Sequence, residues 1–312
     1  MDTSYFDDII GHKKNLSHLI SDITNGNISH AYLFYGASGI GKFTVAKAFA
    51  SILQDQIYHK AQDNFIIDEI PNESQDEQTL TTNLDLKPRK SDSISIEDIN
   101  ILISILNKST FSKFKIVLIK KIERMTKSAS NALLKTLEET PSNQTIFLLT
   151  SDNLTHLPKT LVSRCRLMYF PKVRKEETEA GVKALGYDAK SIDTLIEITP
   201  HDPGKIITLL KNPETLGLHL QILDSIKRLL SVKDNLVERF NFVSEISSSQ
   251  LKTNILLDNL NYYLYKKFNN EIKSKDNAKE LNKKMEILIT AKEYLRKNVN
   301  TKLVLENIFL VF

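Results

Sequence analysis

Gly36-Ala-Ser-Gly-Ile-Gly-Lys42 places three glycines and a lysine within seven residues of a chain that has only 9 glycines among 312 residues. That spacing suits phosphate. Glycines let successive backbone N–H groups turn inward on phosphate oxygens, and the lysine reaches the terminal phosphates. A helix starting at the loop adds the positive end of its dipole. The eighth position of the pattern calls for Ser or Thr, whose hydroxyl ligates magnesium. Here it is Phe43, and the hydroxyl comes one residue late at Thr44. One residue is a turn of about 100° on a helix, so Thr44 does not simply take over that role. The candidate nucleotide-binding residues are Gly36, Gly39, Gly41, Lys42 and Thr44.

Hydrolysis needs more than a cradle. A neighbouring strand should end in carboxylates, one for magnesium and one for the attacking water. The candidate strand, Lys115–Ile119, ends in Lys120-Lys121, and two ammonium groups do neither task; Glu123 is displaced by three residues. The loop therefore reads as one that holds ATP or ADP without hydrolysing it, with magnesium binding disfavoured. Cys165 is the only cysteine, which excludes an internal disulfide and a cysteine zinc cluster, and no metal site is expected. No His or carboxylate is patterned around it, so it reads as a small buried residue.

The elements that must position these groups follow from periodicity. Ala31–Tyr35 is a short apolar run suited to a buried strand, and Thr44–Leu53 reads as a helix, so the loop lies between strand and helix. Asn15–Ile23 and Ser95–Leu106 carry helical stripes. Lys115–Ile119 and Thr145–Thr150 read as strands, with a helix over Ser128–Glu139 between them. Strands alternating with helices predict a parallel sheet covered on both faces. Residues from about 55 to 93 are polar and read as an irregular insertion. After about Phe170 the pattern is helical. Leu256, Leu260, Leu264 and Phe268 form one stripe, and Leu281, Met285, Leu288 and Leu295 another.

Hydrophobic residues are 41% and charged residues 26% of the chain, enough for buried cores and unlike a disordered or collagenous composition. No apolar run of ~18 residues suggests a membrane span, and the acidic start MDTSYFDDII does not resemble a secretory leader. The expected setting is the cytoplasm. A net charge of +4 permits contact with nucleic acid without demanding it. The basic run Lys113, Lys115, Lys120, Lys121, Arg124 and Lys127 reads as a solvated face rather than a nucleic-acid site.

Asn131-Ala-Leu-Leu-Lys-Thr-Leu-Glu-Glu-Thr-Pro141, Ile146-Phe-Leu-Leu-Thr150 and Ser163-Arg164-Cys165 together resemble the AAA+ subunits of the bacterial DNA polymerase III clamp loader. His30-Ala-Tyr-Leu-Phe34, Phe6-Asp-Asp-Ile-Ile-Gly11 and Asn298-Val-Asn-Thr-Lys-Leu-Val-Leu-Glu306 are similar to the same family. The resemblance implies three parts: an α/β P-loop domain over 1–172, a small helical lid over 173–213 and an all-α oligomerisation (collar) domain over 214–312. The family's motor subunits, gamma and tau, carry Thr after the loop lysine, an Asp-Glu pair where Lys120-Lys121 stands, and a nucleotide-sensing arginine near the place of Gly204. Loss of these with retention of Ser163-Arg164-Cys165 is most similar to the delta-prime type. The zinc-binding cysteines usual in the family are absent.

That likeness implies a largely ATPase-inactive member of a heteropentamer with gamma/tau and delta. Arg164, with Ser163 and Cys165 as its motif, would serve in trans as an arginine finger to an adjacent motor subunit. Sliding clamp and primer-template DNA would be met through the complex. Two other readings stay open. One is a catalytic gamma/tau-type ATPase subunit; the other is a nucleic-acid-binding module on an AAA+ scaffold.

Overall fold

The computed structural model describes residues 4–58, 64–67, 93–107, 115–139, 145–186, 189–199, 201–231, 235–271, 275–297 and 299–312. The chain divides into two compact units. The first holds residues 1–189 and 200–205; the second holds 190–199 and 206–312. Of the stretch expected as a lid, 173–189 and 200–205 fall in the first unit and the rest in the second.

In the first unit, β1 (Ala31–Gly36), β2 (Asn64–Ile67), β3 (Lys115–Ile119), β4 (Thr145–Ser151) and β5 (Arg166–Phe170) form one sheet in the order β2-β3-β4-β1-β5. Every pairing is parallel, with Leu33 opposite both Leu149 and Leu167 in the central register. Strand residues alternate faces, and both faces are buried. Tyr32, Phe34, Ile116, Leu118, Ile146 and Leu148 point into one core with α1 (Lys13–Thr24) and α2 (Lys42–Tyr58). Ala31, Leu33, Val117, Ile119, Phe147 and Leu149 point into the other, with α3 (Ile96–Leu106) and α4 (Lys127–Glu138). Burial on both sides makes these strands continuous apolar runs instead of alternating ones.

Local chemistry starts the helices where the sequence places them. Ser95 and Asp98 close a capping box on α3, with Ser95 N–H donating to Asp98 Oδ2 at 2.8 Å. Thr126 caps α4, its Oγ1 accepting from Ala129 N–H at 3.2 Å. The short α5 (Lys159–Val162) leads into β5, and α6 (Lys175–Ala184) follows it.

One expectation is corrected. The stretch 55–93 is not wholly irregular: α2 runs on to Tyr58, and Asn64–Ile67 pairs with Ile116–Ile119 as an edge strand. Phe65-Ile66-Ile67 is only three apolar residues long. Pairing with β3, a tertiary event, makes it a strand. Residues 68–92 lie outside the described residues, as do Lys113, Thr140, Pro141 and Asn298 of the sequence motifs.

The second unit is helical among its described residues. It contains most of α7 (Ala189–Ile198) and α8 (Pro203–Lys211), followed by α9 (Pro213–Ser231), α10 (Leu236–Ile246), α11 (Gln250–Glu271), α12 (Lys275–Arg296) and α13 (Thr301–Val311). Leu256, Leu260 and Leu264 of the first stripe are fully buried, and Leu281 and Leu288 of the second join the same core with Leu305, Ile308 and Phe309. Buried Arg239 donates to Leu229 O at 3.2 Å and Phe309 O at 3.1 Å. It thereby satisfies carbonyls in the last turns of α9 and α13, where helices leave such groups unpaired.

Candidate nucleotide-loop and arginine site

The strand order reverses at β1, which lies between β4 and β5. In an open parallel sheet the crevice at the strands' carboxyl ends beside such a reversal is where ligands bind. Gly36 closes β1 there, Asp152 follows β4, and Lys120-Lys121 follows β3. Gly39 and Gly41 have φ of +76° and +93°, a region glycine enters without steric penalty. Sequence and fold agree on this loop.

The lysine of the loop is engaged by its own surroundings. Lys42 is 5% exposed, and its Nζ donates to Gly36 O at 2.9 Å, Ala37 O at 2.5 Å and Asp152 Oδ1 at 2.7 Å. An ammonium has three hydrogens, and these three acceptors match them. Asp152 is oriented in turn by its backbone N–H, which donates to Glu123 Oε1 at 3.0 Å; Glu123 Oε2 is buried without a hydrogen-bond partner among the described residues. Other loop carbonyls are also held. Gly39 O accepts from Gly204 N–H at 3.2 Å. Ile40 O accepts from His12 Nε2 at 2.7 Å, and burial lowers the His12 pKa below its ordinary 6.5.

Phe43 stands where the magnesium hydroxyl would be. Its ring is part of the α1–α2 core edge, and Lys47 and Lys120 Nζ lie 5.1 and 5.3 Å from its centroid. Thr44 is exposed. Lys121 adopts φ +53°, and its N–H donates to Thr150 Oγ1 at 3.1 Å. Magnesium is a hard cation that requires oxygen ligands in octahedral array. A phenyl ring, two ammonium groups and a carboxylate committed to Lys42 do not fit it. Within the basic run, Lys115 Nζ turns to Leu106 O at 2.5 Å, while Lys120 sits over Phe43.

Arg164 lies in the turn between α5 and β5, at 35% side-chain exposure. Its guanidinium pairs with Glu138 and donates through Nη1 to Thr160 O at 2.8 Å. Glu138 belongs to the α4 motif segment, so the two diagnostic sequence stretches meet in one ion pair. Ser163 Oγ donates to Thr160 O at 3.0 Å. Cys165 is buried, and desolvation pushes its thiol up to about 12, which leaves it a packing residue. Beside it a hollow of about 410 Å³ is lined by Leu154, Leu157, Val162 and Leu167.

The structure thus gathers Gly36, Gly39, Gly41 and Lys42, puts Thr44 exposed in the first turn of α2, and places Arg164 on a separate turn. It adds residues that sequence reading missed. Asp152 carried a signal, as the acid directly after an apolar strand. Asp202, whose carboxylate lies against Gly39, carried none, because 163 residues of chain separate the two.

Residues 11–174 match the protein family described as DNA polymerase III, delta subunit. The chain is 32% identical over 273 residues to the DNA polymerase III subunit gamma of Buchnera aphidicola subsp. Acyrthosiphon pisum, covering 82% of this chain and 72% of that one. It is 31% identical over 161 residues to the subunit tau of Escherichia coli, covering 51% of this chain and 24% of tau. Among solved structures, a DNA polymerase III gamma subunit-related protein of Thermotoga maritima superposes with a TM-score of 0.56. That match has 19% identity and covers 94% of this chain and 97% of the other; at that identity it speaks to the fold alone.

Proposed function

Since the chain belongs to the DNA polymerase III delta-subunit family, which its residues 11–174 match, we propose that it is a delta-prime-like subunit of the replicative clamp loader. In this reading it is a ring member without ATPase activity of its own, and it lends Arg164 to nucleotide held by a neighbouring motor subunit. Its partners are gamma/tau and delta subunits in a heteropentamer in the cytoplasm, with sliding clamp and primer-template DNA met through the complex. Among the described residues no helix is long and apolar enough to cross a membrane.

The observation that carries this reading is the contrast between two sites. The loop's lysine is internally neutralised by Asp152 and its magnesium position is a phenyl ring. Arg164 is partly exposed and held by one carboxylate and one carbonyl. Such a guanidinium stays charged and makes paired bonds to phosphate oxygens. Swinging from Glu138 to a neighbour's phosphate exchanges one anion for another. A group supplied this way can contribute ~10³–10⁵ in rate at the site it serves.

The test reconstitutes the complex with Arg164→Ala or Lys42→Ala in this chain and measures DNA- and clamp-stimulated ATP turnover and clamp loading. Arg164→Ala is expected to slow both while assembly is retained, and Lys42→Ala to do far less. Arg164→Lys should resemble Arg164→Ala. Wild-type loading by Arg164→Ala, or greater damage from Lys42→Ala, defeats the reading. A catalytic gamma/tau-type subunit is the second reading, favoured by the 32% identity to a gamma subunit and opposed by Phe43 and Lys120-Lys121. Phosphate release by the isolated chain that disappears in Lys42→Ala would establish it.

A further inference from the structure

The phosphate loop is packed by a second segment of its own unit, residues 201–205. His201 anchors that segment, its Nδ1 donating to Val173 O at 2.8 Å. Asp202 Oδ1 accepts Lys205 N–H at 2.8 Å, which fixes its carboxylate at the head of α8. Gly204 N–H donates to Gly39 O at 3.2 Å. The approach needs glycine on both sides. A Cβ at Gly204 would fall 2.6 Å from Gly39 O, and a Cβ at Gly39 would fall 2.1 and 2.3 Å from the two oxygens of Asp202. A carboxylate therefore rests on the glycine in the middle of a loop whose spacing is that of a phosphate cradle. A second carboxylate, Asp152, takes the charge of the loop lysine.

We propose that Asp202 is an internal anion that holds the phosphate loop in this self-satisfied form and so lowers its affinity for nucleoside polyphosphates. The charge of a phosphate chain brought to Gly39 meets the Asp202 carboxylate in a part-buried place, where repulsion between like charges is stronger than in water. Lys42 would also have to leave Asp152 to meet the phosphate. The device concerns the loop itself and holds whichever position in a ring the chain takes, so it goes beyond the subunit assignment.

The experiment titrates a fluorescent ADP analogue, and unlabelled ATP as competitor, against the full chain. Wild type is compared with Asp202→Asn, Asp202→Ser and Asp202→Ser combined with Lys42→Ala. Asn is close in shape and can still accept Lys205 N–H. Ser is also a good N-cap, and it is too short to reach Gly39 as the carboxylate does. Melting curves report whether each variant is folded; should the Ser variant fail to fold, Asp202→Asn carries the test alone, with Lys42→Ala added to it. Binding at least fivefold tighter than wild type is expected for both single variants, with the gain lost when Lys42→Ala is added. A smaller gain, a gain that survives Lys42→Ala, or no binding by any variant up to millimolar nucleotide overturns the proposal.

Discussion

His12 shows how a single residue couples the loop to its scaffold. It sits at φ +60° just before α1, buried against Phe170 with ring centroids 4.9 Å apart, and it donates Nε2–H to Ile40 O. Burial disfavours the imidazolium, so the folded pKa lies below the ordinary 6.5. Between those two values the unfolded chain binds more protons than the folded one. The stability from this group is therefore full above pH 6.5 and is lost as pH falls through the folded value. His12→Gln is expected to flatten the acid-side slope of stability while lowering stability at pH 8. Melting temperatures of both proteins across pH 5–8 check this, and an unchanged slope would assign the acid sensitivity to other groups.

Elements are set by local signals that the core then confirms. Thr126 is the N-cap of α4, the helix that presents Glu138 to Arg164 and buries Leu133 and Leu137. Thr126→Ala should cost about 1 kcal/mol. The expected readout is several-fold faster amide hydrogen exchange in the first turns of α4, with α3 unaffected. The strands tell the complementary story. β1, β3 and β4 were legible because both of their faces are apolar. β2 was not, because a short polar-flanked run becomes a strand only when β3 offers it hydrogen bonds. Periodicity reports burial, and an edge strand has little of it to report.

Within the whole molecule, the second unit has more apolar surface than its own core uses. α13 buries Val304, Leu305, Ile308 and Phe309, yet Leu303 and Leu310 on the same helix are 62% and 56% exposed. Leu303 lines a groove of about 400 Å³ with Tyr294 of α12, itself half-exposed, and Ile289 of α12 adds a further exposed apolar side chain. Such surface fits association with partner subunits. Leu303→Asp with Leu310→Asp is expected to leave the helical content and melting of the isolated chain nearly unchanged. Entry into the reconstituted complex should weaken by tenfold or more, read by size-exclusion chromatography or pull-down. Undiminished assembly would place the partner contacts elsewhere.

What the sequence alone determined is what short-range chemistry encodes. The loop from Gly36 to Lys42, the strand before it and the helix after it, the helices over the Ser95 and Asn131 segments, and the leucine stripes of α11 and α12 all follow from residue type and spacing. The motif around Asn131 and the Ser163-Arg164-Cys165 turn pointed to the same family that residues 11–174 match. The tertiary structure alone decided which groups meet across long stretches of chain. Asp152 reaches Lys42 over 110 residues, Glu138 reaches Arg164 from another element, and Asp202 and Gly204 close on Gly39. Each is a single contact with no periodic pattern, fixed by how packed strands and helices bring distant backbone together. A phosphate loop can therefore be legible from its own seven residues, while the groups that occupy it are visible only in the fold.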